Sequence, residues 1–205
     1  MPGRVELFFD YSSPWTYLAC TRIEELCRHA DAALEWRPIL VGGIFNTVNP
    51  SVYESRERPV PAKARYLAKG LQDWAAFYGL ELRFPPSVFP VNSVKSLRGA
   101  LVALENGKIS PYNRAVFAAY WGADRDISSD DVLQSIVREV GLEPAEFFEK
   151  IQRTSYKERI RENTDECIRR GGFGSPTMFV GDSMFFGNDR LVLVEHELRK
   201  HGGRR

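Results

Sequence analysis

The chain has 205 residues, 43% of them apolar, and its 28 Lys plus Arg against 27 Asp plus Glu leave a formal charge of +1. A balance so near neutrality makes no field that gathers nucleic acid or an anionic membrane surface, and no run approaches the roughly 18 apolar residues of a membrane span. The partners expected are small, neutral or mildly anionic molecules, and the length suits one domain carrying a sizeable insertion.

Residues 5–9 read as a short buried strand that begins almost at the first residue, which leaves no room for a secretion signal and sets a cytoplasmic location as the expectation. Asp10-Tyr11-Ser12-Ser13-Pro14-Trp15-Thr16 then forms a turn that opens a helix over residues 14–30. Leu18, Ile23, Leu26 and Cys27 are near helical spacing, and Pro14 stands at a natural first-turn position. Ser13 thereby takes the N-cap and puts one hydroxyl at a positive helix terminus, a placement suited to holding a thiolate. Residues 33–41 alternate and end apolar, predicting a second strand with Pro38 at its edge or end. Such a β-α-β unit closes right-handed with parallel strands and gathers ligands beyond their carboxyl ends.

Residues 42–61 hold Gly42-Gly43, Asn49-Pro50, Pro59 and Pro61 without a sustained period, which predicts a mobile or lid-like loop. From 61 to 171 the pattern is helical: Leu67, Leu71, Trp74 and Tyr78 are spaced four, three and four, and Val94, Leu97, Leu101 and Leu104 three, four and three. Further helices are expected over 112–121, over 129–140 behind a Ser128-x-x-Asp131 capping pattern, over 144–151, and over 157–170 before Gly171-Gly172. Two short strands, 177–180 and 184–186, joined by Gly181-Asp182-Ser183, predict a hairpin. A last helix over 189–201 carries Leu191, Val194 and Leu198 on one face, with Arg199, Lys200 and His201 at its negative end.

The three cysteines form no evident framework. Cys20 and Cys27 are seven apart in one predicted helix, about 10 Å along its axis, beyond the roughly 7 Å that a disulfide spans between α-carbons. No Gly-x-Ser-x-Gly surrounds Ser13, and His29, His196 and His201 lie on predicted surface helices without metal-ligand spacing, so neither a hydrolase triad nor a metal site is expected.

Phe-Phe-Asp-Tyr-Ser-Ser-Pro-Trp at 8–15, Trp36 with Gly42-Gly43-Ile44-Phe45, Phe-Gly-Ser-Pro-Thr-Met-Phe at 173–179, and Phe186-Gly187-Asn188-Asp189-Arg190 follow one another in an order that resembles the group of 2-hydroxychromene-2-carboxylate isomerases and kappa-class glutathione transferases. The resemblance implies an α/β, thioredoxin-like fold with an all-helical insertion: residues 1–60 and 171–205 in the thioredoxin-like domain, 61–170 in the insertion. It implies glutathione at the first helix, Ser13 as the catalytic residue donating a hydrogen bond to the cysteinyl sulfur, and a homodimer. Pro176 would be the cis-proline, the main chain of Ser175 would pair with the peptide, and Phe186 and Gly187 would lead into Asn188 and Asp189, which hold the γ-glutamyl end. Asp189 also reads as the N-cap of the last helix. Ser13-Pro14-Trp15-Thr16 stands where a redox member would carry Cys-x-x-Cys, so a disulfide oxidoreductase is not expected.

A free thiol near pKa 8.5 is only about 3% thiolate at neutral pH, and a fall of roughly two units makes it mostly thiolate. In the isomerase reading that anion adds to a conjugated, pyruvate-bearing aromatic substrate, a bond rotates, and elimination returns glutathione intact. A transferase or peroxidase would turn the same thiolate on an electrophile or a peroxide, and a third class would bind glutathione or protein without catalysis. For the substrate, Asn46 and Asn92 are the candidates. Related sequences commonly have a lysine where Asn46 stands, so Arg56, Arg58 or Lys63 would replace the cation, and Asn92 equally reads as a helix cap. Trp15, Trp74, Phe89, Trp121 and Phe186 read either as an aromatic pocket or as core.

Overall fold

Alternation along the first strand decides where everything else packs. In β1 (Gly3–Phe9), Val5, Leu7 and Phe9 share one face, Glu6 and Phe8 take the other, and all five are buried. A strand buried on both faces needs cover on both. β1 pairs in parallel with β2 (Ala32–Pro38) and antiparallel with β3 (Thr177–Val180), and β3 pairs antiparallel with β4 (Ser183–Phe186), for a sheet order β2-β1-β3-β4. The structure is a computed structural model that describes residues 3–202.

On the first face Val5, Leu7, Phe9, Met178 and Val180 share a core with Leu18 and Ile23 of α1 (Pro14–His29) and with Val194 and Leu198 of α10 (Leu191–Gly202). Leu198 closes against Gly3, at the head of β1. On the second face Phe8 and Phe179 meet edge to face at 5.6 Å and pack with Ile39, Ile44 and Cys167. Glu6, beside Phe8, is gripped by Arg170 at 2.8 Å and Arg37 at 3.2 Å.

The helical block comprises α4 (Pro61–Tyr78), α5 (Val94–Glu105), α6 (Ile109–Phe117) with a π-helical turn at Ala118–Gly122, α7 (Asp130–Glu139), α8 (Pro144–Gln152) and α9 (Thr154–Arg169). α5 is its axis, with Leu97, Ala100, Leu101, Val102 and Ala103 buried. Gly99 lets α6 and α8 close on it, because a methyl group there would lie 2.2 Å from the Tyr112 hydroxyl and 2.4 Å from the Phe147 ring. This core is continuous with that of the first sheet face. Among the described residues, no helix is long and apolar enough to cross a membrane.

Three local expectations are corrected. Residues 42–61 are no loop: they carry α2 (Val41–Val48) and α3 (Ser51–Glu57). Val41, Ile44, Phe45 and Val48 do have helical spacing, and the Val41 amide is capped from outside by the Asp10 carboxylate at 2.9 Å, which outweighs the two glycines. Ser129, not Ser128, precedes α7, while the Ser128 hydroxyl donates to Asp126 at 2.7 Å. Asp189 is not an N-cap either. It lies inside a single 3-10 turn, Asn188–Arg190, that leads into α10, and the residue ahead of that turn is Gly187 at φ 101°, a conformation only glycine enters freely. Trp121 is core, fully buried with its indole N–H on the Tyr11 carbonyl at 2.9 Å. The side chain of His201 lies outside the described residues.

Candidate active site

The turn after β1 and the loop before β3 are neighbours because β1 and β3 are, and their hydrogen bonds build the site. Ser13 is extended (φ −104°, ψ 119°), Pro14 opens α1 behind it, and no acidic residue stands in the first turn to neutralise the helix's positive end. The Ser13 hydroxyl accepts from the Thr16 amide at 3.3 Å and donates to the Ser175 carbonyl at 2.8 Å. The Ser175–Pro176 peptide bond is cis. The Ser175 hydroxyl accepts from the Asp10 amide at 2.9 Å and lies 2.7 Å from the Thr16 hydroxyl.

Beyond Pro176 the hairpin returns to the same place. The Gly187 amide donates to the Pro176 carbonyl at 3.1 Å, and Phe186, paired with Thr177, is partly exposed against Phe173 with ring centroids 4.4 Å apart. The structure thus brings Ser13, Ser175, Pro176, Phe186 and Gly187 together. Asn188 is buried on the next turn, where its amide faces the Tyr78 phenol; burial raises that phenol's pKa, against the pull of Asn188 and the Arg22 guanidinium. Asp189 is half exposed and pairs with Arg190 at 3.1 Å.

Asn46 and Asn92 are engaged locally. Asn46, on α2, accepts from the Tyr53 hydroxyl of α3 at 2.8 Å, and Asn92, one residue outside the N-cap Ser93 of α5, accepts from the Val94 amide at 3.1 Å. Of the three cations weighed as substitutes for the missing lysine, Arg56 lies 5.7 Å from the centre of the Phe45 ring and 5.8 Å from that of Phe89.

Sequence reasoning gave no role to the most connected group near the site. Asp10 is 1% exposed, yet its carboxylate accepts from the Ser12 amide and hydroxyl at 2.9 Å each, from the Ser93 hydroxyl at 2.7 Å and from the Val41 amide at 2.9 Å. Burial raises its pKa even against those donors, and no cation pairs with it among the described ion pairs. One carboxylate therefore ties the end of β1 to the first residues of α2 and α5. The available signal was a charged residue closing an otherwise apolar strand. Asn49 was missed as well: its amide donates to the Phe173 carbonyl at 3.0 Å and holds the end of α2 against the loop that carries Ser175.

The chain brings no reactive thiol to this place. Cys20, Cys27 and Cys167 are unpaired, and burial pushes Cys27 and Cys167 up to about 12 and Cys20 up as well. Among the described residues, no group of three His, Cys, Asp or Glu side chains is placed to hold a metal ion. What remains is a donor set for an incoming anion: a partly exposed hydroxyl and the positive end of a sixteen-residue helix.

The sequence matches the model of a DSBA-like thioredoxin domain over residues 4–199. It is 30% identical over 194 residues to 2-hydroxychromene-2-carboxylate isomerase from Pseudomonas putida, covering 93% of this chain and 92% of that protein. It is 27% identical over 217 residues to glutathione S-transferase kappa 1 from Homo sapiens, covering 97% and 92%. A solved structure of 2-hydroxychromene-2-carboxylate isomerase superimposes with a TM-score of 0.83 at 29% identity, over 98% of this chain and 99% of that one. The chain belongs to the DSBA-like thioredoxin-domain family, within its group of 2-hydroxychromene-2-carboxylate isomerases and kappa-class glutathione transferases.

Proposed function

We propose that the protein is a glutathione-dependent cis-trans isomerase acting on an aromatic catabolic intermediate of the 2-hydroxychromene-2-carboxylate type. The observation that carries the reading is the Ser13 hydroxyl, partly exposed at the uncompensated positive end of α1 and bonded across to the Ser175 carbonyl, in a site without a thiol of its own. The names of the relatives at 30% and 27% identity support the isomerase and the glutathione, respectively.

Glutathione, when bound, supplies a thiolate nucleophile. Ser13 turns its hydrogen from the Ser175 carbonyl to the sulfur, and the α1 dipole favours the anion over the thiol. The freed Ser175 carbonyl accepts from the peptide's main chain, as a strand edge does. Phe186, Gly187, Asn188 and Asp189 line the γ-glutamyl end, and Arg56, over Phe45 and Phe89, faces the substrate's carboxylate in place of the family lysine, with Asn46 and Asn92 at the substrate's edge. The exposed Tyr66 and Phe77, eleven residues apart and so on one face of α4, support a homodimer.

Product analysis tests the reading. The purified protein, given glutathione and 2-hydroxychromene-2-carboxylate, is expected to form trans-o-hydroxybenzylidenepyruvate and return glutathione unchanged. A stable conjugate or oxidised glutathione would make it a transferase or a peroxidase, and no binding of glutathione at millimolar concentration would remove all three activities.

A further inference from the structure

A cavity of about 380 Å3 lies between α2, the start of α5 and α9, and none of Ser13, Ser175, Pro176 or Asn188 lines it. The volume falls within the roughly 300–1,000 Å3 typical of small-molecule sites. Its apolar wall is wholly aliphatic, made by Leu40, Val94, Ile160 and Ile168. Its two threonines have their hydroxyl hydrogens committed, Thr47 to the Gly43 carbonyl at 2.8 Å and Thr164 to the Ile160 carbonyl at 2.7 Å. Recognition of a polar group there is left to charge.

Arg98, Lys157 and Arg161 stand on the wall against Asp165 alone, an excess of two positive charges in a chain whose total is +1. Other cations of α9 and its C-cap are paired: Arg159 with Glu162 at 3.6 Å, Arg169 with Glu166, and Arg170 with Glu6 at 2.8 Å. None of the three that line the cavity enters an ion pair among the described residues. Their placement favours an anion, because Lys157 and Arg161 are like charges one turn apart in the first half of α9, whose positive end has no acidic residue in its first turn. All three can be reached. Lys157 and Arg161 are exposed, and Arg98 is half-buried, with one guanidinium nitrogen on the Ile151 carbonyl at 3.1 Å and its other nitrogens not sealed from solvent.

Ile151 ends α8 just ahead of α9, so the Arg98 guanidinium is at the same end of the cavity as Lys157. From Lys157 to Ile168, α9 runs about 16 Å, past Thr164, whose hydroxyl accepts from the Leu40 amide at 3.0 Å. The cavity therefore has a cationic end and an aliphatic end. We propose that it is a second binding site, for an aliphatic phosphate monoester whose dianionic head meets Arg98, Lys157 and Arg161 while its chain lies along Ile160, Leu40 and Ile168. The site is independent of the glutathione reading. Its occupant would lie against the seam of α2 and α5 that Asp10 closes, since Leu40 and Val94 adjoin Val41 and Ser93, which both donate to that carboxylate.

Titration calorimetry with octyl phosphate, on the unaltered protein without glutathione, tests it. One equivalent is expected to bind, at least about 10-fold more tightly than either octan-1-ol or inorganic phosphate, each of which offers half of the match. Arg161→Glu changes an exposed side chain and is expected to weaken octyl phosphate by about 10-fold or more while octan-1-ol binds as before; Arg98→Gln carries the same expectation should that variant fail to fold. Absence of binding at millimolar octyl phosphate would overturn the proposal. Equal affinity for octan-1-ol would reduce the site to apolar adsorption, and equal affinity for inorganic phosphate to a surface anion contact. Displacement of octyl phosphate by glutathione, or wild-type affinity in both variants, would place the ligand elsewhere and overturn the proposal too.

Discussion

Ser13 and Asp10 are three residues apart and do opposite work. The Ser13 hydroxyl has a single hydrogen, now spent on the Ser175 carbonyl, and a sulfur anion must draw it away. That exchange leaves no group unpaired if the incoming peptide gives a main-chain N–H to the vacated carbonyl. Ser13→Ala is therefore expected to cut kcat by about 100-fold, the scale of losing one donor to a developing anion, with a smaller change in glutathione affinity, measured by steady-state kinetics and calorimetry. Equal losses in both would reduce Ser13 to a helix cap. Asp10 is a matter of stability. Asp10→Asn puts an NH2 group or an overloaded oxygen before the Val41 amide and is expected to cost about 1–3 kcal/mol in urea unfolding. The sign of its pH dependence follows from burial. Because the folded pKa is raised above the ordinary 3.8, the folded state holds the extra proton in that window and stability falls as pH rises through it. The wild-type margin over Asp10→Asn is thus expected to be widest in acid and to narrow as pH rises through the raised value.

At the scale of elements, the glycines and prolines of 42–61 point away from helix in the sequence, and only a carboxylate 31 residues earlier, bonded to the Val41 amide, explains why α2 starts where it does. The same limit hid the Asp10 to Ser93 bond, which spans 83 residues. The elements whose signals are local were legible: β1, α1 behind Pro14, α4 and α5 from their apolar spacing, while the gathering of Ser13, Ser175, Pro176, Phe186 and Gly187 followed from the family resemblance of their motifs. Asp189 was misjudged because Gly187 adds a 3-10 turn before α10, a backbone choice the residue types alone do not dictate. The ion pairs of Glu6 bind three elements into one. Burial alone would raise this carboxyl, but Arg170 and Arg37, with Arg4 behind them, hold its pKa below the ordinary 4.5. Its contribution is full above that value and is lost as pH falls through the lowered one. In thermal scans, Glu6→Gln is expected to melt earlier than wild type at neutral pH, with the gap closing in acid. A gap independent of pH would place the loss in packing.

For the whole molecule, the exposed aromatics of α4 set the expectation. A 23.4 kDa chain that leaves Tyr66 and Phe77 about three quarters exposed offers apolar surface suited to a second copy. Sedimentation is expected to give twice the chain mass, and Phe77→Glu to shift it toward the single chain with an unchanged circular dichroism spectrum. Sedimentation of wild type as a single chain at micromolar concentration would remove α4 as a contact.

Leu198 on Gly3 carries a further implication, because it brings the two ends of the described polypeptide side by side. Residues 58–60, between α3 and α4, are all solvent-facing. A circular permutant opened there, with a short flexible tether from 202 to 3, would keep every strand neighbour and every helix while reversing which half is synthesised first. It is expected to refold to the parental spectrum. A collapse into aggregates would mean that assembly depends on making β1 before the hairpin.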